Sequence, residues 1–271
     1  MSQLPVWLYW EGPAPPYIEL CLEILKRHHP EARVLDRAGF DALWVHERGL
    51  DIDALALNHK SDFIRAYLLA YHGGLYIDAD CILFRRLDLV LAAAEEHGFA
   101  GYREPQGYMS CNFMAALPRG AVIADHYRRV VERIRQGPPF RWLDLASTPM
   151  DLAVAGAPVP IAQLPTKAVM PLAWNDTVEL ATIGSDAAHA RRFARNCLCY
   201  MLANATIKRT PETQRFLGMS REALLGDGSF LGFLFRLAIA AASAGPNREE
   251  PGADWTASAA GRKKRPDDRS P

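Results

Sequence analysis

The sequence predicts an α/β fold in which strands end at a shared ligand edge, and three observations lead to it. The first 50 residues alternate strand-like and helix-like runs. The stretch from Asn58 to Leu87 then reads as helix, glycine pair, short apolar strand and two carboxylates. Trp10 and the Asp78-Ala79-Asp80 tripeptide both fall where a predicted strand stops, the place where α/β sheets bind ligands.

Leu4 to Trp10 is a short run of aromatic and branched residues, the composition of a buried strand, and Glu11-Gly12-Pro13-Ala14-Pro15-Pro16 breaks it. An aromatic beside such a loop can stack on a base. Trp10 borders the loop and is the better candidate; for Trp7, core packing is the equal alternative. Tyr17 to His28 has helical periodicity through Ile18, Cys21, Leu22 and Leu25, Arg33 to Leu35 reads as a second strand, and Phe40 to Glu47 as a short helix.

In the central stretch, Asn58 or Ser61 is a candidate helix cap. Asp62 is then expected in the first turn, where its charge suits the helix dipole. Phe63, Ile64, Tyr67, Leu68 and Tyr71 mark one buried face, and Gly73-Gly74 a stop that accepts positive φ. If the chain stays extended after Ile77, Asp78 and Asp80 project to one side, roughly 7 Å apart. Two such carboxylates repel each other and lose hydration, which a nearby cation relieves. Asp62 and Arg65, one turn apart on the helix, can fold back towards them. Three acids and one guanidinium then share a site.

Further on, Leu87 to His97 reads as a helix, and Phe99 to Tyr102 and Tyr108 to Leu117 as strands. Asn112, inside the latter, is either a satisfied core amide or a ligand hydrogen-bonder. Ala121 to Gln136 is an amphipathic helix with Arg128, Arg129, Arg133 and Arg135 on its solvated face. Residues 141–183 are rich in proline and read as a winding lobe with a small helix from Met150 to Ala155. Cys197 to Asn204 suggests a strand in which Cys197-x-Cys199 is packing, and Pro211 to Leu225 a helix. Phe230 to Ala242 is the most apolar segment, read as a packed helix with a membrane-surface helix as the rival. These elements make residues 1–243 one domain, with a donor-binding half to residue 117 and an acceptor or lid half after it. Residues 244–271 are polar and aperiodic and read as a disordered tail.

Composition narrows the function. With 49% hydrophobic residues the 271-residue chain has ample core, and 31 basic against 31 acidic residues point away from nucleic acid. No apolar run is long enough to span a membrane, and the amino terminus has no signal-peptide pattern. Five scattered cysteines fit reduced thiols, so a cytoplasmic chain is expected. Neither G-x-G-x-x-G nor G-x-x-x-x-G-K-[ST] occurs.

K-S-D-F-I-R followed by Y-H-G-G-L-Y-I-D-A-D resembles the sugar-binding region of glycosyltransferases that carry a D-x-D motif. That group includes bacterial capsular-polysaccharide enzymes, yeast initiating mannosyltransferases and, more remotely, the clostridial glucosylating toxins. Their shared pattern is S-D-x-x-R, then Y-G-G-x-Y-x-D-x-D. W-L-Y-W-E-G is similar to the family's first strand, with Trp10 and Gly12 matching, and Asn112 matches a later asparagine-bearing strand. The likeness covers about Leu4 to Leu117. His72 stands where an aromatic is usual. The H-x-W-x-x-S-W-type lid segment has no clear counterpart, Cys199 to Asn204 being its degenerate remnant.

The resemblance implies a GT-A-type fold, a Rossmann-like mixed sheet flanked by helices that binds a UDP- or GDP-sugar. It also implies retention of anomeric configuration, a carbohydrate or lipid-linked acceptor, and a divalent cation, Mn²⁺ or Mg²⁺. By position, Asp80 would hold the metal, and Asp78 would bind the ribose or sugar and assist the metal. Asp62 and Arg65 would hold the donor sugar, Trp10 would border the base, and Asn112 would bind substrate. Asp78, Asp80 and Arg65 would carry the catalysis. Peripheral contact with the inner face of a membrane fits lipid-linked acceptors. Two alternatives stay open: a haloacid-dehalogenase-like phosphohydrolase using Asp78 and Asp80, and a non-catalytic glycan-binding homologue.

Overall fold

A computed structural model describes residues 4–244. The chain runs β1 (Val6–Tyr9), α1 (Pro16–His28), β2 (Arg33–Leu35), α2 (Arg37–Asp41), α3 (Leu57–His72), β3 (Gly74–Ile77) and β4 (Cys81–Leu83). Next come α4 (Asp88–His97), β5 (Phe99–Arg103), β6 (Met109–Ala116), α5 (Ala121–Gln136), α6 (Ser147–Ala155), β7 (Ala162–Leu164) and α7 (Thr166–Val169). After a 3₁₀ segment over Trp174–Ala181 follow α8 (Asp186–Arg192), β8 (Cys199–Met201), α9 (Asn204–Ile207), α10 (Pro211–Gln214), α11 (Arg221–Gly226) and α12 (Phe230–Ser243).

Six strands form one mixed sheet in the order β2-β1-β3-β6-β5-β7. β1 is parallel to β2 and β3, β6 is antiparallel to both its neighbours, and β5 is parallel to β7. The layout is the expected α/β one, a mixed sheet with helices on both faces. Side-chain alternation divides the core between those faces. Val6, Leu8, Leu75 and Ile77 pack with α1, α4 and α12, whereas Trp7, Tyr9 and Tyr76 pack with α3, α5 and α6. β4 leaves the main sheet and pairs antiparallel with β8.

Several local expectations are corrected. The helix predicted from Phe40 instead begins at Arg37, behind an Asp36 side chain that accepts the Gly39 N–H, and ends at Asp41. α3 begins at Leu57, so neither Asn58 nor Ser61 caps it, and Asp62 lies beyond its first turn. The segment Pro211 to Leu225 is not one helix: α10, a 3₁₀ turn and α11 follow one another. Residues 141–183 contain a strand, β7, that the proline-rich composition hid. α12 buries Phe230 to Phe235 and Ala238 in the core, as the packed-helix reading requires. The tail expected over residues 244–271 lies, apart from Ala244, outside the described residues.

The glycine pair is fixed by sterics. Gly73 and Gly74 have φ of 64° and 100°. A Cβ on Gly74 would lie 2.1 Å from the Pro5 carbonyl oxygen, and one on Gly73 would lie 2.5 Å from Pro118 Cδ. Only glycine lets α3 end and β3 start within this space.

Candidate active site

β3 emerges at the sheet edge into Asp78, and the chain then turns at Ala79 and Asp80 instead of staying extended. The two carboxylates consequently meet different partners. Asp78 Oδ1 lies 3.5 Å from the Arg65 guanidinium, which also stands 3.2 Å from Asp62 Oδ1. Asp80 Oδ2 accepts the backbone N–H of Asn204 at 2.6 Å, and the Asp80 carbonyl accepts Leu202 N–H at 2.9 Å.

Arg65 is the cation that Asp62 and Asp78 share, and its side chain is 9% exposed. Its guanidinium sits 5.3 Å from the centre of the Tyr76 ring and 3.4 Å from Ser61 Oγ, which in turn lies 3.2 Å from the Tyr76 hydroxyl. Burial alone would weaken its protonation, but Asp78 and Asp62 outweigh that and hold the charge firmly. His59 Nδ1, 3.4 Å from Asp62 Oδ2, supports the other side of that carboxylate.

The acids are held against their solvation preference. Burial, together with the charges of Asp80 and Asp62, pushes Asp78 up to about 7 against the pull of Arg65. Burial also raises Asp80, although the Asn204 N–H works the other way. Such a pair lowers its free energy by meeting a cation.

Asn112 joins the same edge through its backbone. Its carbonyl accepts the Asp78 N–H at 2.8 Å, continuing the β3–β6 ladder past Ile77 and Phe113. Its side-chain oxygen takes the Tyr102 hydroxyl at 2.8 Å and Ser110 Oγ at 2.9 Å. Trp10 also leaves the sheet here, because β1 and β3 are parallel neighbours with Trp7 opposite Tyr76. Trp10 is half-buried, with its ring N–H on the Gly12 carbonyl at 3.1 Å. Trp7 is a core residue, its ring N–H on the Gly73 carbonyl at 2.8 Å.

Five residues that the sequence reading did not place in the site complete the surroundings: Glu11, Tyr17, Asp53, Lys60 and Asn204. Lys60 Nζ lies 3.2 Å from Glu11 and 3.1 Å from Asp53, which ties the loop after β1 to α3. Asn204 holds Asp80, and its side-chain oxygen receives the Tyr17 hydroxyl. Lys60 stands beside Ser61 and Asp62, so position in the motif was a usable signal for it. Tyr17 and Asn204 carry no local signal, being 187 residues apart. β8, from the segment Cys199 to Asn204, places this stretch against the D-x-D turn through its pairing with β4.

Among the described residues, no three or more His, Cys, Asp or Glu side chains are grouped to hold a metal by themselves. Asp78 and Asp80 nevertheless suit a hard cation that takes one or two carboxylates and completes its set with substrate phosphates and water.

Residues 20–96 match the family described as a glycosyltransferase sugar-binding region containing a DXD motif. No curated protein sequence matches the chain. Among solved structures, the PaToxG glycosyltransferase is similar at 14% identity over 56% of this chain and 67% of its own, with a TM-score of 0.38. The galactosyltransferase LgtC, solved in complex with donor and acceptor sugar analogs, is similar at 13% identity over 52% of this chain and 69% of its own, with a TM-score of 0.32. The residues matched to that sugar-binding region include Asp62, Arg65, Asp78 and Asp80.

Proposed function

We propose that the chain is a metal-dependent, retaining glycosyltransferase that moves a sugar from a UDP- or GDP-sugar to a glycan, lipid-linked or other acceptor in polysaccharide or glycoconjugate synthesis. The observation that carries the reading is the Asp62–Arg65–Asp78 chain of ion pairs, with Asp62 and Arg65 buried and Asp78 part-exposed, and the buried Asp80 beside it at the end of β3.

When the glycosidic bond to the diphosphate breaks, negative charge develops on the leaving oxygens. Arg65 is a fixed, poorly hydrated cation there, and such a group needs little reorganisation to stabilise the new charge. Asp62 orients Arg65 from one side, Tyr76 and Ser61 from another, while Asp62 and Arg65 hold hydroxyls of the donor sugar. Asp80 and Asp78 would hold Mn²⁺ or Mg²⁺. A divalent cation bound there supplies Lewis-acid neutralisation of the diphosphate. Asn112 adds a polar contact at the same edge, and Trp10 borders the base. No side chain is assigned as nucleophile or general base; a same-face displacement in which the leaving phosphate takes the acceptor proton needs neither.

A cytoplasmic location with peripheral membrane contact fits a lipid-linked acceptor. Among the described residues no helix is long and apolar enough to cross a membrane, and the apolar face of α12 is spent on the core. The phosphohydrolase alternative would place its nucleophile on Asp78, whose carboxyl is pushed towards the neutral form. A panel of nucleotide-sugars incubated with Mn²⁺ tests the proposal. Slow release of UDP or GDP from one member supports it, and release from none, with hydrolysis of a generic aryl phosphate instead, refutes it.

A further inference from the structure

Beyond the ion-pair cluster, the same sheet edge carries a buried carboxyl that the proposed mechanism does not use. Glu104, just after β5, is 6% exposed. Its backbone is pinned in the β5–β6 hairpin, with its N–H on the Tyr108 carbonyl at 2.9 Å and its carbonyl receiving Gly107 N–H at 2.8 Å. Its Oε1 lies 2.8 Å from Ser110 Oγ and 3.2 Å from the Tyr102 hydroxyl, and the same two hydroxyls meet Asn112 Oδ1. Its Oε2 is buried with no hydrogen-bond partner among the described residues. Four oxygens thus close a ring with four short contacts. A register slip makes the ring possible: Gly101 to Arg103 on β5 spans Met114 to Met109 on β6, which turns Ser110 and Asn112 to the side of Tyr102.

Counting protons ties the wiring of this ring to the charge on Glu104. Each hydroxyl has one proton to donate, and a carboxylate or an amide oxygen has none. With Glu104 ionised and Asn112 Oδ1 facing the two hydroxyls, two of the four contacts have no proton between the oxygens. A proton on Glu104 donates to one hydroxyl and lets both hydroxyls donate to Asn112 Oδ1. Among the described residues no cation opposes that proton: neighbouring Arg103 turns away to Asp151 at 3.0 Å and to the Gly107 carbonyl. Burial holds Tyr102 and Tyr108, the adjoining phenols, in their neutral forms, and it raises Glu104 too. The Cys199 thiol, near Tyr102, bonds to the Val169 carbonyl.

We infer that Glu104 is a positioning residue for Asn112: as a neutral carboxyl it turns both hydroxyls onto Asn112 Oδ1 and leaves the amide NH2 as a donor at the Asp78 edge, for an oxygen of a bound sugar or diphosphate. If Glu104 instead ionises, the favoured wiring reverses. The amide then donates inward to both hydroxyls, both hydroxyls donate to the carboxylate, and Asn112 offers the site an acceptor. The proton on Glu104 therefore sets which polarity Asn112 presents. Only the last step, the bound oxygen, rests on the donor-site reading.

Infrared spectra of wild type and Glu104→Gln at neutral pH test the proton directly. The expected difference is a protonated-carboxyl C=O stretch, present in wild type and absent from the variant; loss of an ionised-carboxylate band instead overturns the inference. Binding of Mn²⁺ with UDP and of Mn²⁺ with GDP, followed by calorimetry, tests the positioning. Glu104→Ala should weaken the pair that wild type binds about tenfold, the equivalent of one hydrogen bond. Should that variant not fold, Ser110→Ala with Tyr102→Phe strips the same support and should give the same loss. Unchanged affinity in the folded variants overturns the inference. Wild type binding neither pair refutes the donor-site reading, and the infrared band still decides the proton on Glu104.

Discussion

The backbone N–H of Asn204 donates to Asp80 Oδ2 at 2.6 Å, across 124 residues of chain. This bond joins the second acid of the D-x-D turn to the stretch after β8, so the late part of the chain reaches the site although its His and Trp positions are missing. One oxygen of Asp80 is thereby fixed by a bond that favours the ionised form, against the burial that raises the carboxyl.

Asp80→Asn should keep that bond, because an amide oxygen can still accept from Asn204, and should lose the charge. We expect metal-dependent turnover of the nucleotide-sugar to fall about 10²–10³-fold with little change in unfolding midpoint. Steady-state kinetics beside a denaturation curve checks both. Unchanged turnover removes Asp80 from the metal site.

Arg65→Met leaves the buried Asp62, and the part-exposed Asp78, without their shared cation. Removing one partner of a buried pair costs about 3 kcal/mol or more. Urea denaturation should report a loss of that order, and Asp62→Asn added to Arg65→Met should recover part of it. A single-variant loss below about 1 kcal/mol would mean the cluster is screened like a surface pair.

Asp78 carries a pH signature. Its carboxyl sits at about 7 in the folded chain because of burial and the neighbouring acids, against about 3.9 unfolded. The folded state then binds more protons than the unfolded one between those values. Its contribution to stability is full below about pH 4 and is lost as pH rises through about 7. Asp78→Asn does not titrate, so its melting temperature relative to wild type should climb by a few degrees between about pH 5 and about pH 8 in metal-free buffer. A constant difference across that range contradicts the burial argument.

Gly74→Ala and Gly98→Ala separate two costs of positive φ. Both glycines are left-handed, but Gly98 has open space where a Cβ would go, and Gly74 faces the Pro5 carbonyl. Gly98→Ala should cost about 1–2 kcal/mol for the backbone alone. Gly74→Ala should cost at least about 3 kcal/mol, since β1 must move as well. Equal losses in thermal denaturation would show that the close approach is relieved cheaply.

Local pattern was enough for α1, α3, α5 and α12, where apolar residues recur at helical spacing, and for Gly73-Gly74, where the stop is chemical. β4 and β7 were not legible: each has three residues, and each exists through pairing with a distant strand rather than through its own pattern. Pro211 to Leu225 has helical composition, yet packing around Phe216 and the Ser220 cap breaks it into short turns. The site divided in the same way. Asp62, Arg65, Asp78 and Asp80 fall within 19 residues and could be read as one cluster, and the geometry brings Arg65 to Asp62 and Asp78. Tyr17, Glu104 and Asn204 join the surroundings only through long-range folding or a strand irregularity that no periodicity announces. The assumption of an extended D-x-D failed for a related reason, because the β4–β8 pairing forces the chain to turn at Ala79 and Asp80.

The central claim is that the end of β3 binds a nucleotide-linked diphosphate together with a divalent cation. Thermal denaturation of the wild-type chain with Mn²⁺, with UDP or GDP, and with both together tests it most directly. Ligands that bind the folded chain jointly raise its melting temperature beyond the effect of either alone. The account predicts that result for at least one nucleotide, and loss of it in Asp80→Asn. If no nucleotide–metal pair shifts the wild-type midpoint, the claim is wrong.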